Sequence, residues 1–262
     1  MEVSSSVVSG TQSIDRTVRL LKSVASHNMV GITLAEAARQ TGLKGPTAHR
    51  ILSCLVDQGL LMQRGKKKEY FLGMLAYEVG LAANCHFNLR ELCGPVLTRL
   101  ARTTGDTVFL TTRSGADSVV IERKEGSYPI KVLTQMVGER RPLGTTAGGL
   151  ALLVALSPAE REDVVTKNSH RLVRYSGLSE VLLREMLERA RELGYALNEG
   201  NLLPDVTGLG VTIPTRLGTP YAALSVVALN ARLIGKRRRE VVALLLQEAR
   251  NLGEALAGSE AR

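Results

Sequence analysis

The sequence predicts an α+β fold in two parts, a small helical domain followed by a larger domain built around one sheet. The chain has 262 residues, more than one domain usually holds, and 44% of them are hydrophobic, which is enough to bury a core. Apolar residues recur at helical spacing up to Thr104, and strand-like runs begin at Thr107. These observations place a helical domain before a mixed one.

The stretch from Thr33 to Leu72 predicts two short helices, a glycine turn and a basic hairpin, which is the pattern of a winged helix-turn-helix. Thr33 and Glu36 have the spacing of a capping box at the start of the first helix. Gly42 is placed to end that helix in the left-handed conformation. Gly45-Pro46 opens the second helix, with the proline at its first position, where the missing N–H costs nothing.

The second helix of this pair has one apolar and one polar face. The apolar face carries Ala48, Ile51, Leu52, Leu55 and Val56. Thr47, Arg50, Ser53 and Cys54 fall on another face, with His49 beside them. In this motif the N-terminal residues of the second helix contact base edges. Arg50 can donate a bidentate hydrogen bond to guanine, and Thr47 can contact a phosphate or a thymine methyl group.

The hairpin that follows is the candidate wing. Leu60–Arg64 and Glu69–Leu72 are its predicted strands, and Gly65-Lys66-Lys67-Lys68 is the turn between them. A charge run of this kind is also typical of a solubilising surface loop, but the neighbouring helix pair favours a wing that lies along phosphates. The candidate DNA-binding residues are Thr33, Lys44, Gly45, Pro46, Thr47, His49, Arg50, Ser53, Arg64, Lys66, Lys67 and Lys68.

The charge balance points to the same region. The formal net charge is +9 and the isoelectric point about 9.7, which favours an anionic partner. Between Gln12 and Gly73 ten basic residues stand against four acidic ones. Most of the excess positive charge therefore lies in the segment predicted to meet double-stranded DNA.

Other classes of protein fit the sequence less well. No apolar run approaches the ~20 residues of a membrane helix, and residues 1–11 lack the features of a signal peptide, so they are predicted to form a flexible tail. Three cysteines form no metal-binding pattern, and Cys85-His86 with Cys93 lacks an obvious fourth zinc ligand. We expect a reduced, cytoplasmic protein without a metal or cofactor and without a membrane partner.

Two further helices flank the motif. An amphipathic helix is predicted over Ser13–His27, with Ser13 as its cap and Ile14, Val18, Leu21 and Val24 on the face that packs behind the helix pair. Gly73–Asn84 is predicted to be a linker helix and is a candidate for packing on its own copy in a dimer.

The remaining two thirds predicts six strands in one sheet with helices around it. The predicted strands are 107–113, 118–123, 130–133, 195–199, 208–213 and 221–229. The predicted helices are 88–104 (kinked or restarted at Pro95), a helix fed by the loop after Pro142, one capped by Ser157 and Glu160, one over 179–193 ended by Gly194, and 235–257. The basic cluster 236–239 is interpreted as a solvated helix surface rather than a nucleic-acid site.

Taken together, the chain resembles the IclR family of bacterial transcription regulators. The resemblance depends on the order and spacing of Ser13–Arg16, Thr47–Leu52 with Gly59-Leu60, Arg141–Leu143 leading into Thr145–Gly149, Leu193–Leu197 and Ala222–Val226. It implies an N-terminal winged helix-turn-helix, a GAF-like effector-binding domain, and dimers or dimers of dimers on a palindromic operator. The predicted domains are a tail (1–11), a DNA-binding domain (12–73), a linker helix (74–87) and an effector-binding domain (88–258).

The resemblance also implies an effector pocket built from three places. The first is the helix start after Pro142, where the N–H groups of Ala147, Gly148 and Gly149 and the hydroxyls of Thr145 and Thr146 would face the ligand. A helix N-terminus is a natural anion site, but the same glycines also fit a helix start that packs closely on the sheet.

The second place follows Tyr195, where Asn198, Glu199 and Asp205 remain alternatives. The third is the last strand, where Ser225 matches a ligand-contacting serine of the family. Val227 replaces a second family serine, which favours an effector with an apolar or aromatic part over a small keto acid.

The expected function is a sequence-specific DNA-binding regulator whose operator affinity changes when an organic or aromatic acid binds. An architectural protein that binds DNA without regard to sequence is one alternative. An enzyme tethered to DNA is less favoured, because no nucleophile–base set is found and His170 is predicted to lie in a polar loop. Effector, operator and the direction of regulation stay open.

Overall fold

The structure is a computed structural model that describes residues 11–83, 89–175, 178–215, 218, 220 and 222–259. The described residues fall into two compact units, one within residues 1–87 and the other within 88–262. Most of the predicted tail, the end of the predicted linker helix and the pair Cys85-His86 lie outside the described residues.

The described part of the first unit consists of helices and one hairpin. Its elements are α1 (Gln12–Ser26), α2 (Leu34–Thr41), α3 (Gly45–Asp57), β1 (Leu61–Arg64), β2 (Glu69–Leu72) and α4 (Met74–Ala83). The hairpin strands are antiparallel, with Arg64 opposite Glu69 at the tip. The core contains Leu20, Val24, Ile32, Ala48, Leu52, Leu55, Leu61 and Tyr70.

Local signals at α2 and α3 were predicted well. Thr33 and Glu36 form the reciprocal capping box, and Gly42 ends α2 with φ +68°. Because α3 begins at Gly45 with Lys44 as its N-cap, Pro46 occupies the second helical position and not the first. Both positions tolerate proline, since neither N–H has a partner within the helix.

The prediction for α1 was wrong in two respects. The helix begins at Gln12 after Thr11, so Ser13 is not its cap. Leu20 and Val24 are fully buried, but Ile14 is 63% and Val18 39% exposed. Only the C-terminal half of the helix therefore packs on the unit, which leaves the N-terminal half of the apolar stripe in solvent.

The second unit is a six-stranded antiparallel sheet with helices on both faces. Its elements in chain order are α5 (Leu89–Thr104), β3 (Thr107–Ser114), β4 (Asp117–Lys124), β5 (Arg140–Pro142), α6 (Ala147–Val154), α7 (Pro158–Leu172), α8 (Glu180–Leu193), β6 (Ala196–Glu199), β7 (Val206–Thr212), β8 (Ala222–Leu229) and α9 (Gly235–Ser259). The strand order is β5-β4-β3-β8-β7-β6. Helices α5 and α9 share one apolar core with the sheet, and α6, α7 and α8 share another.

One predicted strand was wrong. Residues 130–133 form no strand, and Ile130 and Leu133 are 57% and 49% exposed. The outer edge of β4 is instead paired with the chain around β5, because Gly138 donates to the Val120 carbonyl at 2.8 Å. Residues 130–133, despite their alternating pattern, therefore form an irregular segment and not a strand of the sheet.

Three smaller predictions also change. Helix α5 runs without interruption through Pro95, so there is no fresh start there. Helix α7 extends to Leu172, which places His170 in a helix and not in a loop. In the basic cluster, Arg237 pairs with Asp106 at 2.9 Å and Arg238 pairs with Glu199, so these two side chains serve the fold.

Candidate DNA interface and effector pocket

The outward face of α3 carries the predicted base-reading residues. Arg50 is exposed and Thr47 is half-buried, one turn apart on that face. Within the described residues the Arg50 guanidinium has no hydrogen bond or ion pair. Its five donors are therefore free for a planar acceptor such as the guanine edge.

A groove of about 760 Å³ lies between the start of α2, a second face of α3 and the wing. It brings together the predicted residues Thr33, Gly45, His49, Ser53, Lys67 and Lys68. Lys44, Pro46, Thr47, Arg50, Arg64 and Lys66 do not line it. The candidate DNA-binding residues of α3 thus occupy two faces, one turned toward the wing and one turned outward.

The wing tip is held in one conformation by its backbone. Gly65 and Lys68 adopt positive φ angles of 75° and 53°, and Lys68 N–H donates to the Gly65 carbonyl at 3.1 Å. Gln63 Nε2 donates to the Lys68 carbonyl at 3.0 Å. This turn leaves Lys66, Lys67 and Lys68 exposed, where their ammonium groups can reach phosphates.

Thr33 is already engaged within its own capping box. Its hydroxyl accepts from the Glu36 N–H at 3.4 Å and donates to the Glu36 carboxylate at 2.7 Å. The hydrogen bond from the Thr33 hydroxyl is the main cause that lowers the pKa of the Glu36 carboxyl. Contact between Thr33 and DNA would have to compete with this bond.

In the second unit, the start of α6 lies directly on the sheet. A Cβ at Gly148 would lie 3.0 Å from Thr111 Oγ1, and one at Gly149 would lie 3.0 Å from Ser118 Oγ. Thr146 caps the helix by accepting from the Gly149 N–H at 3.1 Å. Gly148 and Gly149 therefore permit close packing, and the Gly149 N–H has a partner within the protein.

A small cavity of about 20 Å³ lies beside this helix start. The predicted residues that line it are Thr146, Ala147, Asn198, Ser225 and Val227. They come from α6, β6 and β8. The register places Asn198 opposite Gly208 and Gly208 opposite Val227, so neighbouring strands present these positions to one face of the sheet.

Other predicted pocket residues point elsewhere. The Thr145 hydroxyl donates to the Pro142 carbonyl at 2.8 Å, and the Thr145 carbonyl accepts from Asn198 Nδ2 at 3.0 Å. Glu199 pairs with Arg189 at 3.0 Å and with Arg238, and Asp205 is exposed. Of the three alternatives after Tyr195, Asn198 is the one that lines the cavity.

Family models match both units. Residues 13–65 match the model described as the IclR helix-turn-helix domain, and residues 82–254 match the one described as the C-terminal part of the bacterial transcriptional regulator IclR. The chain belongs to the IclR family. It is therefore a DNA-binding transcription regulator, as the motif in its first unit predicted.

Curated members of the family align with nearly the whole chain. The transcriptional repressor IclR of Escherichia coli K12 is 28% identical over 254 residues, covering 94% of this chain and 90% of that protein. The regulator KipR of Bacillus subtilis 168 is 27% identical, covering 92% of this chain and 99% of that protein. These matches are to regulators and give no support to the enzyme alternative.

Solved structures of IclR-family proteins share the fold. A putative IclR regulator from Silicibacter sp. TM1040 aligns with a TM-score of 0.78 at 21% identity, covering 94% of this chain and 96% of that one. An IclR homolog from Microbacterium hydrocarbonoxydans, complexed with 4-hydroxybenzoate, aligns with a TM-score of 0.69 at 26% identity, covering 94% of this chain and 99% of that one. The predicted α+β organisation is confirmed. Within the described residues, no helix is long and apolar enough to cross a membrane.

Several residues around the cavity of this IclR-family chain were not predicted as site residues. Phe109, Thr134, Gln135 and Leu202 line it together with the predicted residues. The sequence pattern predicts Phe109 only as a strand residue, and residues 134 and 135 follow the run that was wrongly predicted as a strand. Thr134, Gln135 and Leu202 lie on two irregular segments beside the sheet, and no local pattern encodes the path of such segments.

Proposed function

We propose that this IclR-family regulator reads a palindromic operator through α3 and the wing, and that an organic acid with an aromatic or apolar part binds beside the start of α6 and changes operator affinity. One observation above all supports the proposal that an acid binds beside α6. Thr146, Asn198 and Ser225, far apart in sequence, converge on a single small cavity. A bacterial transcription regulator would act in the cytoplasm, where the chromosome lies.

DNA reading is assigned to the exposed face of α3. Arg50 donates to a guanine edge and Thr47 contacts a phosphate or a thymine methyl group, as residues at this place in the motif do. Lys66, Lys67 and Lys68 follow the phosphate backbone. These lysines supply affinity that depends on salt but not on sequence, so specificity rests on α3.

The effector is assigned from the chemistry of the cavity wall. Phe109, Val206 and Val227 give it apolar surface, and Thr146 and Ser225 give it hydroxyl groups. No described residue that lines it carries a formal charge. The N-terminus of α6 supplies the favourable potential for an anion. Because a related structure contains 4-hydroxybenzoate, an aromatic carboxylate is the first compound to test.

Binding has to change the structure. A cavity of about 20 Å³ holds roughly one water molecule, far less than the ~300 Å³ or more of a small-molecule site. Leu202 and Gln135 lie on irregular segments at its wall, and these segments must move to admit a ligand. A ligand that binds only the open state shifts the population toward it, with a coupling of ~1–3 kcal/mol typical of such regulators.

The partner in DNA binding is proposed to be a second copy of the chain. Helix α4 has no buried residue, and its large apolar side chains Met74, Tyr77, Val79 and Leu81 are 56–67% exposed. A helix of this composition needs an apolar partner surface. Since a two-fold dimer reads a palindrome, the α4 helix of a second copy is the natural occupant.

The experiment that tests this function is selection of genomic DNA fragments by the purified protein, followed by titration of the winning fragments against salt. Enrichment of a short palindrome that binds at least ~1,000-fold more tightly than random DNA is expected. Addition of 4-hydroxybenzoate or benzoate should change operator affinity by ~5- to 150-fold. Binding without enrichment that fades with salt would instead identify an architectural DNA-binding protein.

A further inference from the structure

The segment of residues 131–136, here called the strap, crosses the sheet next to the cavity without regular secondary structure. Val132 anchors it, because this side chain is only 7% exposed and packs with Phe109, Val120 and Val227. Phe109 and Val227 also line the cavity. The strap is therefore part of the pocket wall and not a free surface loop.

Two arginines hold the main chain of the strap at the point where it meets the cavity. Arg141 Nη2 donates to the Thr134 carbonyl at 2.6 Å, and Arg123 Nη1 donates to the Gln135 carbonyl at 3.1 Å. Each guanidinium is also paired with a nearby acid, Arg141 with Glu139 and Arg123 with Glu125. Charge-assisted bonds on both sides fix the backbone from which the Gln135 side chain extends.

Gln135 itself has an unmet hydrogen-bonding requirement. It is 4% exposed and lines the cavity, yet its Nε2 has no partner within the described residues. Two other polar side chains of the wall already have partners, since Asn198 donates to the Thr145 carbonyl and Thr146 caps α6. A buried donor without an acceptor is costly, and a ligand acceptor in the cavity would remove that cost.

We propose that Gln135 determines the specificity of the effector pocket by donating from Nε2 to a carboxylate oxygen of the bound acid. The same anion faces the start of α6, where the Gly149 N–H is bound by Thr146 but the N–H groups of Ala147 and Gly148 have no carbonyl partner within the helix. This assignment rests on the proposed effector pocket. It names the group that selects an aromatic acid over an analogue with the same ring and no carboxylate. A pocket built to hydrogen-bond its ligand rejects analogues that lack the acceptor.

The test uses the full chain and isothermal titration with benzoate, 4-hydroxybenzoate and 4-cresol, which keeps the ring but lacks the carboxylate. Gln135→Leu, which preserves size and removes the donor, should weaken binding of the two acids by about 10- to 100-fold and leave 4-cresol unaffected. Gln135→Glu, which places a negative charge beside the ligand, should weaken the acids further. Gln247→Leu, on the exposed surface of α9, is the matched control and should change nothing.

The melting temperature distinguishes a ligand-binding role from a structural one. If Nε2 is without a partner in the free protein, Gln135→Leu should melt at the same or a higher temperature, because the substitution removes an unsatisfied buried donor. A lower melting temperature would show that the amide stabilises the fold, and would overturn the proposal.

Two further results would also overturn it. One is equal affinity of wild type and Gln135→Leu for the acids, and the other is the absence of any acid binding to wild type. Operator selection by the same wild-type sample reports separately on the regulatory function. Equal affinity of wild type and Gln135→Leu for the acids would refute the Gln135 assignment alone, whereas absence of acid binding to wild type would also refute the proposed effector pocket.

Discussion

Asn198 on β6 donates its side-chain amide to the main-chain carbonyl of Thr145 at 3.0 Å, and so ties the edge strand of the sheet to the loop that enters α6. Asn198 is 5% exposed and Thr145 is fully buried. Both partners are thus shielded from water, and the bond fixes one wall of the cavity relative to the helix start.

Asn198→Ala should leave the Thr145 carbonyl without this donor. We expect the free energy of unfolding to fall by about 1–3 kcal/mol, together with weaker binding of benzoate. Urea unfolding and titration calorimetry measure the two effects. Asn251→Ala, on the exposed side of α9, provides the control. Unchanged stability in Asn198→Ala would mean that the bond is replaced by water.

Arg50→Ala should cost about 1–3 kcal/mol of operator affinity and relax the preference at one base pair. Competition binding with operators changed at single positions measures both quantities. Arg102→Ala, an exposed arginine of α5, should bind like wild type. If the variant keeps full preference at every position, Arg50 does not contact a base.

Replacing Lys66, Lys67 and Lys68 together by glutamine should weaken binding to operator and random DNA alike. Each lost phosphate contact reduces the slope of log affinity against log salt by about 0.9. Affinity measured between 50 and 200 mM salt, two conditions chosen around physiological ionic strength, gives that slope. A slope equal to that of wild type would show that the wing lysines do not contact DNA phosphates.

Gly210→Ala should strongly destabilise the second unit. Its Cβ would fall inside the van der Waals distance of the Ala147 carbonyl oxygen and crowd the Gly148 nitrogen, so α6 would have to move off the sheet. We expect a loss of ~3 kcal/mol in the free energy of unfolding. Gly94→Ala in α5 of the same unit is the matched control, because its Cβ would meet nothing within 4 Å and alanine favours the helix.

The buried Cys93 thiol should resist alkylation in the folded protein. Burial raises its pKa from 9.0 to about 11, so almost no thiolate forms at neutral pH. Because the folded pKa is the higher one, the associated stability is fully present below pH 9 and is lost as pH rises from 9 to 11. Peptide mass spectrometry after iodoacetamide treatment should find exposed Cys54 modified and Cys93 intact. Equal labelling of both would contradict this.

Much of the structure of the first unit could be predicted from short-range sequence signals. The capping box at Thr33, the left-handed Gly42 and the turn at Gly65 each depend on residues within a few positions of one another, and each has a narrow set of allowed residue types. The apolar face of α3 was predictable for the same reason. The error at Ile14 and Val18 arose because amphipathic spacing shows which side of a helix is apolar, but not how far along the helix the core extends.

The sequence by itself determined the fold class, the winged helix-turn-helix and the family, since these follow from local spacing and from the order of short motifs. Only the tertiary structure decided that Asn198 and not Glu199 or Asp205 lines the cavity, and that Gln135 joins it. Adjacent strand residues point to opposite faces, so a choice between Asn198 and Glu199 depends on the register of β6 against β7. The place of Gln135 depends on Arg123 of β4 and Arg141 of β5, which hold an irregular segment between them. These two strands come together only once the sheet has formed.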